Sequence, residues 1–192
     1  MMYSVLKINY IYMTIATRSK KQITVNTMNS AINTHKNYDN TNVSKAAKIT
    51  IIIGVIGADC HAVGNKILAN VLGRLGFNVV NLGVMVTQDE YIDSAIEHGA
   101  QAILVSSIYG HGEIDCKGMR ERCDERGVSD MILYVGGNLV IGKKDFADVK
   151  VLFTEMGYDR VFAPSDDLEE VAEFLTMDVE NKQSANQQWV VA

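Results

Sequence analysis

From residue 49 onward, two kinds of apolar pattern alternate along the chain, and this alternation limits the possible folds more than any other feature. Continuous or nearly continuous apolar runs predict strands that are buried on both faces of a sheet. Between them, apolar residues recur at helical spacing, and most of these segments end at a glycine, which tolerates the left-handed conformation at a helix end. The predicted strands are residues 49–56, 77–83, 102–107, 131–137 and 160–163.

Helical segments separate the predicted strands. They are residues 67–75, a helix that opens at a capping box of Thr87 and Glu90, a single charged helix over 114–126, a helix over 146–156, and a last helix capped by Ser165. Strands and helices that alternate in this way predict a parallel sheet covered on both faces. The expected fold class is α/β: a flavodoxin-like (Rossmann-like), doubly wound, five-stranded parallel sheet with the strand order 2-1-3-4-5.

Composition divides the chain into three parts. The domain covers residues 49–178, and a hydrophobic content of 47% for the whole chain is enough for an ordinary core. Residues 1–48 are rich in Asn, Thr, Ser and Lys, and we interpret them as a disordered extension or as the product of a misassigned start. Residues 179–192 form a polar tail.

Charge and cysteine content narrow the class of protein. Residues 1–48 contain seven Lys and Arg and one acid, which leaves 11 basic and 22 acidic residues in the remainder. An acidic domain argues against nucleic acid as a partner, because phosphate binding needs a basic face. The three cysteines show no CxxC spacing, which indicates reduced thiols and a cytoplasmic protein, and no apolar stretch is long enough to span a membrane.

The loops after strands 1, 3 and 4 converge on one edge of such a sheet, near the switch point where ligands bind. They comprise residues 58–64, 106–113 and 136–142, and all three are rich in glycine, alanine or serine. Small residues at strand ends let a bulky group approach the backbone closely. Three such loops at one edge favour a large ligand over ordinary turns.

Two familiar kinds of site fit these loops poorly. Phosphate binding is disfavoured because the first loop lacks GxGxxG spacing and no GK[ST] is present, while Ser106 and Ser107 stand where a phospho-receiver domain needs an aspartate. A zinc site built from Cys60, His61 and His111 is a weak alternative, because adjacent residues rarely ligate one zinc ion.

Asp59 and His61 indicate a different chemistry. A neutral imidazole binds a transition metal through one nitrogen while the other donates its hydrogen to a carboxylate, which fixes the tautomer and raises basicity. Two residues apart on a tight loop, these side chains can meet in that way, and Gly64 lets the next helix pass close to the ligand. Taken alone, the motif would be better explained as a partly exposed loop histidine; the preceding buried strand and the two other loops favour the ligand.

The string DCHAVG is similar to the D-x-H-x-x-G signature of vitamin-B12-binding domains. The other signatures of that family, S-x-L and GG, have counterparts in Ser106-Ser107-Ile108 and Gly136-Gly137. Within it, residues 49–178 resemble the small (sigma) subunits of glutamate mutase, also called methylaspartate mutase. The strings that carry this resemblance are IGADCHAVGNKIL, GFNVVNLGV, VSSIYGHGEIDCKGMRERCDE and VGGNLVIGK.

The resemblance implies that His61 is the lower axial ligand of cobalt, with Asp59 as its hydrogen-bond partner. The implied loop under the corrin ring consists of Ala58, Asp59, Cys60, His61 and Ala62. The residues implied to lie along the cofactor's nucleotide tail are Ser106, Ser107, Ile108, Asn138, Leu139, Val140, Ile141 and Gly142, next to the Gly136-Gly137 pair. Ala58 and Ile108 depart from the serine and leucine of the family, and neither belongs to the ligand pair.

The implied reaction is the interconversion of L-glutamate and threo-3-methylaspartate, an isomerase reaction with adenosylcobalamin and a radical mechanism. The implied partner is a larger TIM-barrel (epsilon) subunit, in a heterotetramer of two small and two large subunits. The arginines of the chain form no evident clamp for a dicarboxylate, so we expect the partner to provide the substrate site. Alternatives are a corrinoid carrier for methyl transfer, a non-enzymatic cobalamin-binding module, and a plain interaction domain.

Overall fold

A computed structural model of the chain describes Ala46, residues 49–142 and residues 144–190. Its centre is a five-stranded parallel sheet with the order β2-β1-β3-β4-β5, which confirms the predicted fold class and strand order. The strands are β1 Thr50–Val55, β2 Asn78–Asn81, β3 Ala102–Ser107, β4 Ile132–Gly137 and β5 Arg160–Phe162. The interpretation of residues 1–48 concerns a segment that, apart from Ala46, lies outside the described residues.

Helices follow the strands in the expected alternation. They are α1 Ala62–Arg74, α2 Gln88–His98, α3 Gly112–Cys116, α4 Met119–Glu125, α5 Phe146–Glu155 and α6 Leu168–Val190. The predicted capping box of α2 is confirmed: Thr87 Oγ1 accepts a hydrogen bond from the Glu90 N–H, and the Glu90 carboxylate accepts one from the Thr87 N–H. The same helix ends at Gly99, whose φ of 58° lies in the left-handed region.

The helices cover both faces of the sheet. α1 and α6 pack against each other on one face, and the other helices enclose a large cluster of buried side chains on the opposite face. Ile51, Ile52 and Ile53 of β1 are completely buried, as expected for a strand covered on both sides. This burial fixes the position of the carboxyl ends of the central strands, where the loops of interest begin.

The single helix predicted over residues 114–126 is wrong. The structure has two short helices, α3 and α4, separated by Lys117 in an extended conformation and Gly118 with a φ of 86°. The break lets Cys116 and Met119, on either side of it, both reach the core with no exposed surface. Core packing therefore outweighs the helical tendency of this charged segment.

The last helix also differs from the prediction at its start. It begins at Leu168 rather than directly after Ser165, and the Asp167 carboxylate, not a Ser165 hydroxyl, accepts the hydrogen bond from the Glu169 N–H at 2.9 Å. The helix continues to Val190, so the polar tail is helical over residues 179–190. Within the described part of the chain, no helix combines the length and the apolar character needed to cross a membrane.

Candidate cofactor-binding site

The carboxyl ends of β1 and β3 lie side by side at the centre of the sheet. Val55 pairs with Ser106 in the register of these two strands. After β1 the chain enters α1 on one face of the sheet, and after β3 it enters α3 on the other face. Two loops that leave in opposite directions open a crevice between them, and this is where parallel α/β sheets bind ligands.

The predicted contact between Asp59 and His61 is present. Nδ1 of His61 lies 2.6 Å from Oδ1 of Asp59, and the backbone N–H of His61 donates to the same oxygen at 3.0 Å. An ionised carboxylate can only accept, so Nδ1 carries the hydrogen and the lone pair of the ring is on Nε2. The His61 side chain is 55% exposed while that of Asp59 is fully buried, so Nε2 remains accessible to a ligand.

The Asp59 carboxylate is held from several directions. Its Oδ2 accepts hydrogen bonds from the backbone N–H of Ile108 at 2.7 Å and of Tyr109 at 3.3 Å, both in the loop after β3. Burial acts to raise the pKa of Asp59, but the hydrogen bonds from Ile108 and His61 outweigh it, and the pKa lies below its ordinary value. Asp59 is therefore an anion that connects the loop after β1 to the loop after β3.

A cleft of about 220 Å³ opens beside His61, between α1 and the start of α6. We call it the α1–α6 cleft. Its floor is the carboxyl half of β1, β3 and β4, and its walls are largely apolar: Leu68 on α1, Tyr134 on β4, Phe162 on β5, and Leu168 and Val171 on α6. An apolar trough that starts at an accessible histidine suits an elongated molecule with a hydrophobic end.

Glycines allow the loops after β3 and β4 to pack against each other. His111 and Val140 form an antiparallel bridge between the two loops. A Cβ on Gly137, which has a φ of 115°, would lie 2.2 Å from the carbonyl oxygen of Ser107. Gly137 is thus required for this close approach, which brings both loops to the rim of the crevice.

The residues present fit a corrinoid better than a bare metal ion. A corrin ring supplies the equatorial ligands of its own cobalt, so the protein needs to add only one axial nitrogen, such as Nε2 of His61. Oδ1 of Asn65, a residue that lines the cleft, is buried without a hydrogen-bond partner among the described residues, which leaves a polar atom for a bound molecule. Ser107 is fully buried and does not line the cleft. In the part of the chain that the structure describes, no three His, Cys, Asp or Glu side chains form a metal site, Cys60, His61 and His111 included.

Comparison with known proteins also indicates a B12-binding domain. The family model for the B12 binding domain matches residues 49–172. The glutamate mutase sigma subunit of Escherichia coli O157:H7 is 67% identical over 135 residues, which represent 70% of this chain and 91% of that protein. The chain belongs to the glutamate mutase sigma subunits. Residues 1–48 lie outside the matched domain.

Solved structures support the fold. A cobalamin-binding protein from Desulfitobacterium hafniense DCB-2 has a TM-score of 0.56 at 17% identity, over 69% of this chain and 59% of that one. The monomethylamine corrinoid protein of Methanosarcina barkeri has a TM-score of 0.53 at 22% identity, over 71% of this chain and 62% of that one. At such identities the likeness extends to the fold alone, and the sigma-subunit relatives carry the argument about the family.

Some site residues predicted from the sigma-subunit resemblance line the α1–α6 cleft. They are His61, Gly64, Ser106, Ile108, Gly136 and Gly137. Ala58 and Cys60 are exposed on the loop before His61, while Ala62 is already the first residue of α1. The loop predicted to reach Gly64 is thus shorter in the structure, because the first turn of α1 begins directly after His61.

The loop after β4 behaves differently from the others. Leu139 and Val140 are buried in the core on the opposite face and do not line the cleft. Asn138, Ile141 and Gly142 are exposed, and Asn138 Nδ2 lies 3.5 Å from the carbonyl oxygen of Ile108. The structure therefore brings this loop to the rim of the crevice while two of its side chains serve the core, and a role for these five residues in cofactor binding stays a prediction.

The sequence analysis missed Asn65 and the aromatic residues of the cleft. Asn65 on α1 is buried, donates to Asn81 Oδ1 at 2.7 Å and to the Gly83 carbonyl at 3.1 Å, and so links α1 to the end of β2. Its signal was a polar residue on the otherwise apolar inner face of α1. Tyr134 and Phe162 could not be singled out, because alternate strand residues look alike until the face covered by α6 is known.

Proposed function

We propose that this chain binds adenosylcobalamin with His61 as the lower axial ligand of cobalt, as the cofactor-binding subunit of a glutamate mutase. The observation that carries this proposal is the contact of 2.6 Å between Nδ1 of His61 and the buried Asp59 carboxylate. It fixes the tautomer that presents Nε2 outward, as ligation requires.

The α1–α6 cleft is the proposed place for the nucleotide tail of the cofactor. It begins at His61 and is lined by Gly64, which leaves the surface of α1 open at that point, and by Ser106 and Gly136 on the floor. Its aromatic and aliphatic walls suit a flat apolar base, and Oδ1 of Asn65, which has no hydrogen-bond partner among the described residues, suits a polar group of the tail. Ala58, Cys60 and Ala62 then belong to the loop under the corrin ring.

Each residue has a limited task in this proposal. His61 binds and orients, Asp59 keeps the proton on Nδ1, and the backbone N–H groups of Ile108 and Tyr109 keep Asp59 ionised and in place. The bound cofactor supplies the radical chemistry for the carbon-skeleton rearrangement of L-glutamate to threo-3-methylaspartate.

A partner has to complete the active site. Among the described residues, the arginines that could hold a dicarboxylate are used elsewhere: Arg120 pairs with Asp159, Arg122 with Asp89, Arg126 with Asp93 and Arg160 with Asp178, and Arg74 ends α1 far from the crevice. The crevice is also open to water, whereas radical chemistry needs a closed cavity. We therefore propose a larger TIM-barrel (epsilon) subunit as the partner, in a cytoplasmic heterotetramer of two small and two large subunits.

The methyl-carrier alternative is not favoured. Its support would be the corrinoid protein of Methanosarcina barkeri, at 22% identity, against 67% for a sigma subunit. A non-enzymatic cobalamin module and a plain interaction domain gain no support from relatives named as mutase subunits.

Titration of the full chain with adenosylcobalamin, followed by absorption spectroscopy, tests the role of His61. We expect His61→Ala to weaken binding roughly 100-fold and to remove the spectral shift of histidine ligation. His98→Ala is the matched control, because His98 ends α2 and, among the described residues, forms hydrogen bonds only with Ser94 of that helix. A His61→Ala protein that binds with the wild-type spectrum and affinity would contradict the proposal.

A further inference from the structure

A second carboxylate, that of Asp115, lies directly behind the loop that carries Asp59 and His61. It belongs to α3 and faces Gly57, two residues before Asp59. A Cβ on Gly57 would lie 2.3 Å from Oδ2 and 2.7 Å from Oδ1 of Asp115, so only glycine leaves room for the carboxylate. Gly57 also has a φ of 70°, which other residues rarely adopt. The start of the ligand loop is therefore shaped around Asp115.

Tyr109 connects this carboxylate to the ligand loop. Its hydroxyl donates a short hydrogen bond to Oδ2 of Asp115 and accepts one from the backbone of Ala58. At its other end, the backbone N–H of Tyr109 donates to Oδ2 of Asp59 at 3.3 Å. Tyr109 thus contacts Ala58 through its side chain and Asp59 through its backbone.

The scaffold fixes this arrangement from outside. Nε2 of Gln88, the first residue of α2, donates to the carbonyl oxygens of Asp115 at 2.6 Å and of Lys117 at 2.9 Å, which anchors α3. The ring of His111 packs against that of Tyr109 with 4.8 Å between centroids. Tyr109 and Asp115 therefore stand on anchored elements, and this allows them to define the position of a loop.

We propose that Tyr109 and Asp115 form a positioning pair that holds Gly57, Ala58 and Asp59 in place, so that the Asp59 carboxylate stays on Nδ1 of His61. The inference rests on the proposed role of His61 as the cobalt ligand and adds two residues that act through Asp59. A hydrogen bond of 2.6 Å needs its partners fixed to a fraction of an ångström, and without the pair the loop can swing while the fold persists.

The test uses the full chain and cobalamin. Tyr109→Phe removes the donor hydroxyl, Asp115→Ala removes the acceptor carboxylate, and the double variant combines them. We expect each single change to weaken binding roughly 10-fold and to lower the histidine-ligated fraction at saturating cobalamin. The double variant should be no worse than either single one, because both break the same connection. Tyr91→Phe is the matched control, since its buried hydroxyl has no hydrogen-bond partner in the described part of the chain, and it should match the wild type.

Several outcomes would overturn the pair. The first is a wild-type spectrum for both single variants. The second is a double variant whose loss of affinity equals the product of the two single losses. The third is a set of variants that melt at lower temperature but show the wild-type histidine-ligated fraction at saturating cobalamin. If Tyr109→Phe does not fold, the saturated spectrum of Asp115→Ala alone decides. Failure of the proposed function looks different, because His61→Ala would then leave the bound spectrum unchanged.

Discussion

Two carboxylates in this molecule, the buried Asp59 and the partly buried Asp178, are held as anions by different sets of hydrogen-bond donors. Asp178 on α6 accepts hydrogen bonds from Arg160 at 2.7 and 2.9 Å and from Tyr134 at 2.6 Å, and the Arg160 guanidinium also stacks over Phe174. Asp59 instead accepts from backbone N–H groups and from one half-exposed imidazole. The Asp178 network is closed, whereas that of Asp59 ends at a nitrogen with a free lone pair.

This difference separates a structural network from a functional one. In both cases burial acts to raise the pKa of the carboxyl group and hydrogen bonds outweigh it, so both pKa values lie below the ordinary value. The low pKa alone therefore does not identify the site. What identifies it is that the last member of the Asp59 network, His61, faces the crevice with its side chain 55% exposed.

Of the changes to the two carboxylates, Asp59→Ala is expected to have the largest effect. Without the carboxylate, the tautomer and orientation of His61 are no longer fixed, and we expect cobalamin affinity or mutase activity to fall roughly 10–100-fold. Binding titrations and assays with the larger subunit measure this change. Unchanged affinity and activity in Asp59→Ala would contradict the functional role of Asp59 and, with it, the contrast to Asp178.

Asp178→Ala should show the opposite pattern. It leaves Arg160 and the Tyr134 hydroxyl without their acceptor, and we expect the free energy of unfolding to fall by about 2 kcal/mol, since hydrogen bonds to charged groups contribute about that much. The histidine-ligated spectrum at saturating cobalamin should stay as in the wild type. Urea denaturation and absorption spectra give the two quantities, and a loss of ligation without a loss of stability would reverse the assignment.

The smallest effect is the shared pH dependence. A carboxyl group whose pKa is lower in the folded state contributes stability above its unfolded pKa, and that contribution is lost as the pH falls toward the folded value. From the ordinary value of 3.8, the free energy of unfolding should be level near neutral pH and decline below about pH 4. In Asp59→Asn and in Asp178→Asn, the free energy of unfolding should decline less steeply with falling pH than in the wild type. Denaturation at several pH values measures these slopes, and slopes equal to that of the wild type would contradict the prediction.

The sheet could be predicted from the sequence because the apolar pattern of its strands is strong. β1 is β-branched apart from Gly54, its three consecutive isoleucines, Ile51 to Ile53, are completely buried, and such a pattern has few other interpretations. The Asp59 and His61 pair could also be predicted, since the two residues are close in sequence and follow that strand directly. Local patterns with one physical solution were read correctly.

What failed depends on contacts between distant segments. The break at Gly118 exists because Cys116 and Met119 both pack in the core, and no local pattern reports which side chains a neighbouring helix will accept. Asp115, which accepts the Tyr109 hydroxyl, packs against Gly57 and so joins α3 to the loop after β1. Such contacts follow from the assembled sheet edge and become visible only with the structure.

The central claim is the bond between an imidazole nitrogen of His61 and cobalt. It is tested most directly by electron paramagnetic resonance of the full chain with reduced, cobalt(II) cobalamin, prepared once with natural and once with nitrogen-15 histidine. The account predicts that the label changes the nitrogen hyperfine pattern of the cobalt signal in the wild type, and that this change is absent in His61→Ala. An identical pattern with both isotopes in the wild type would contradict it.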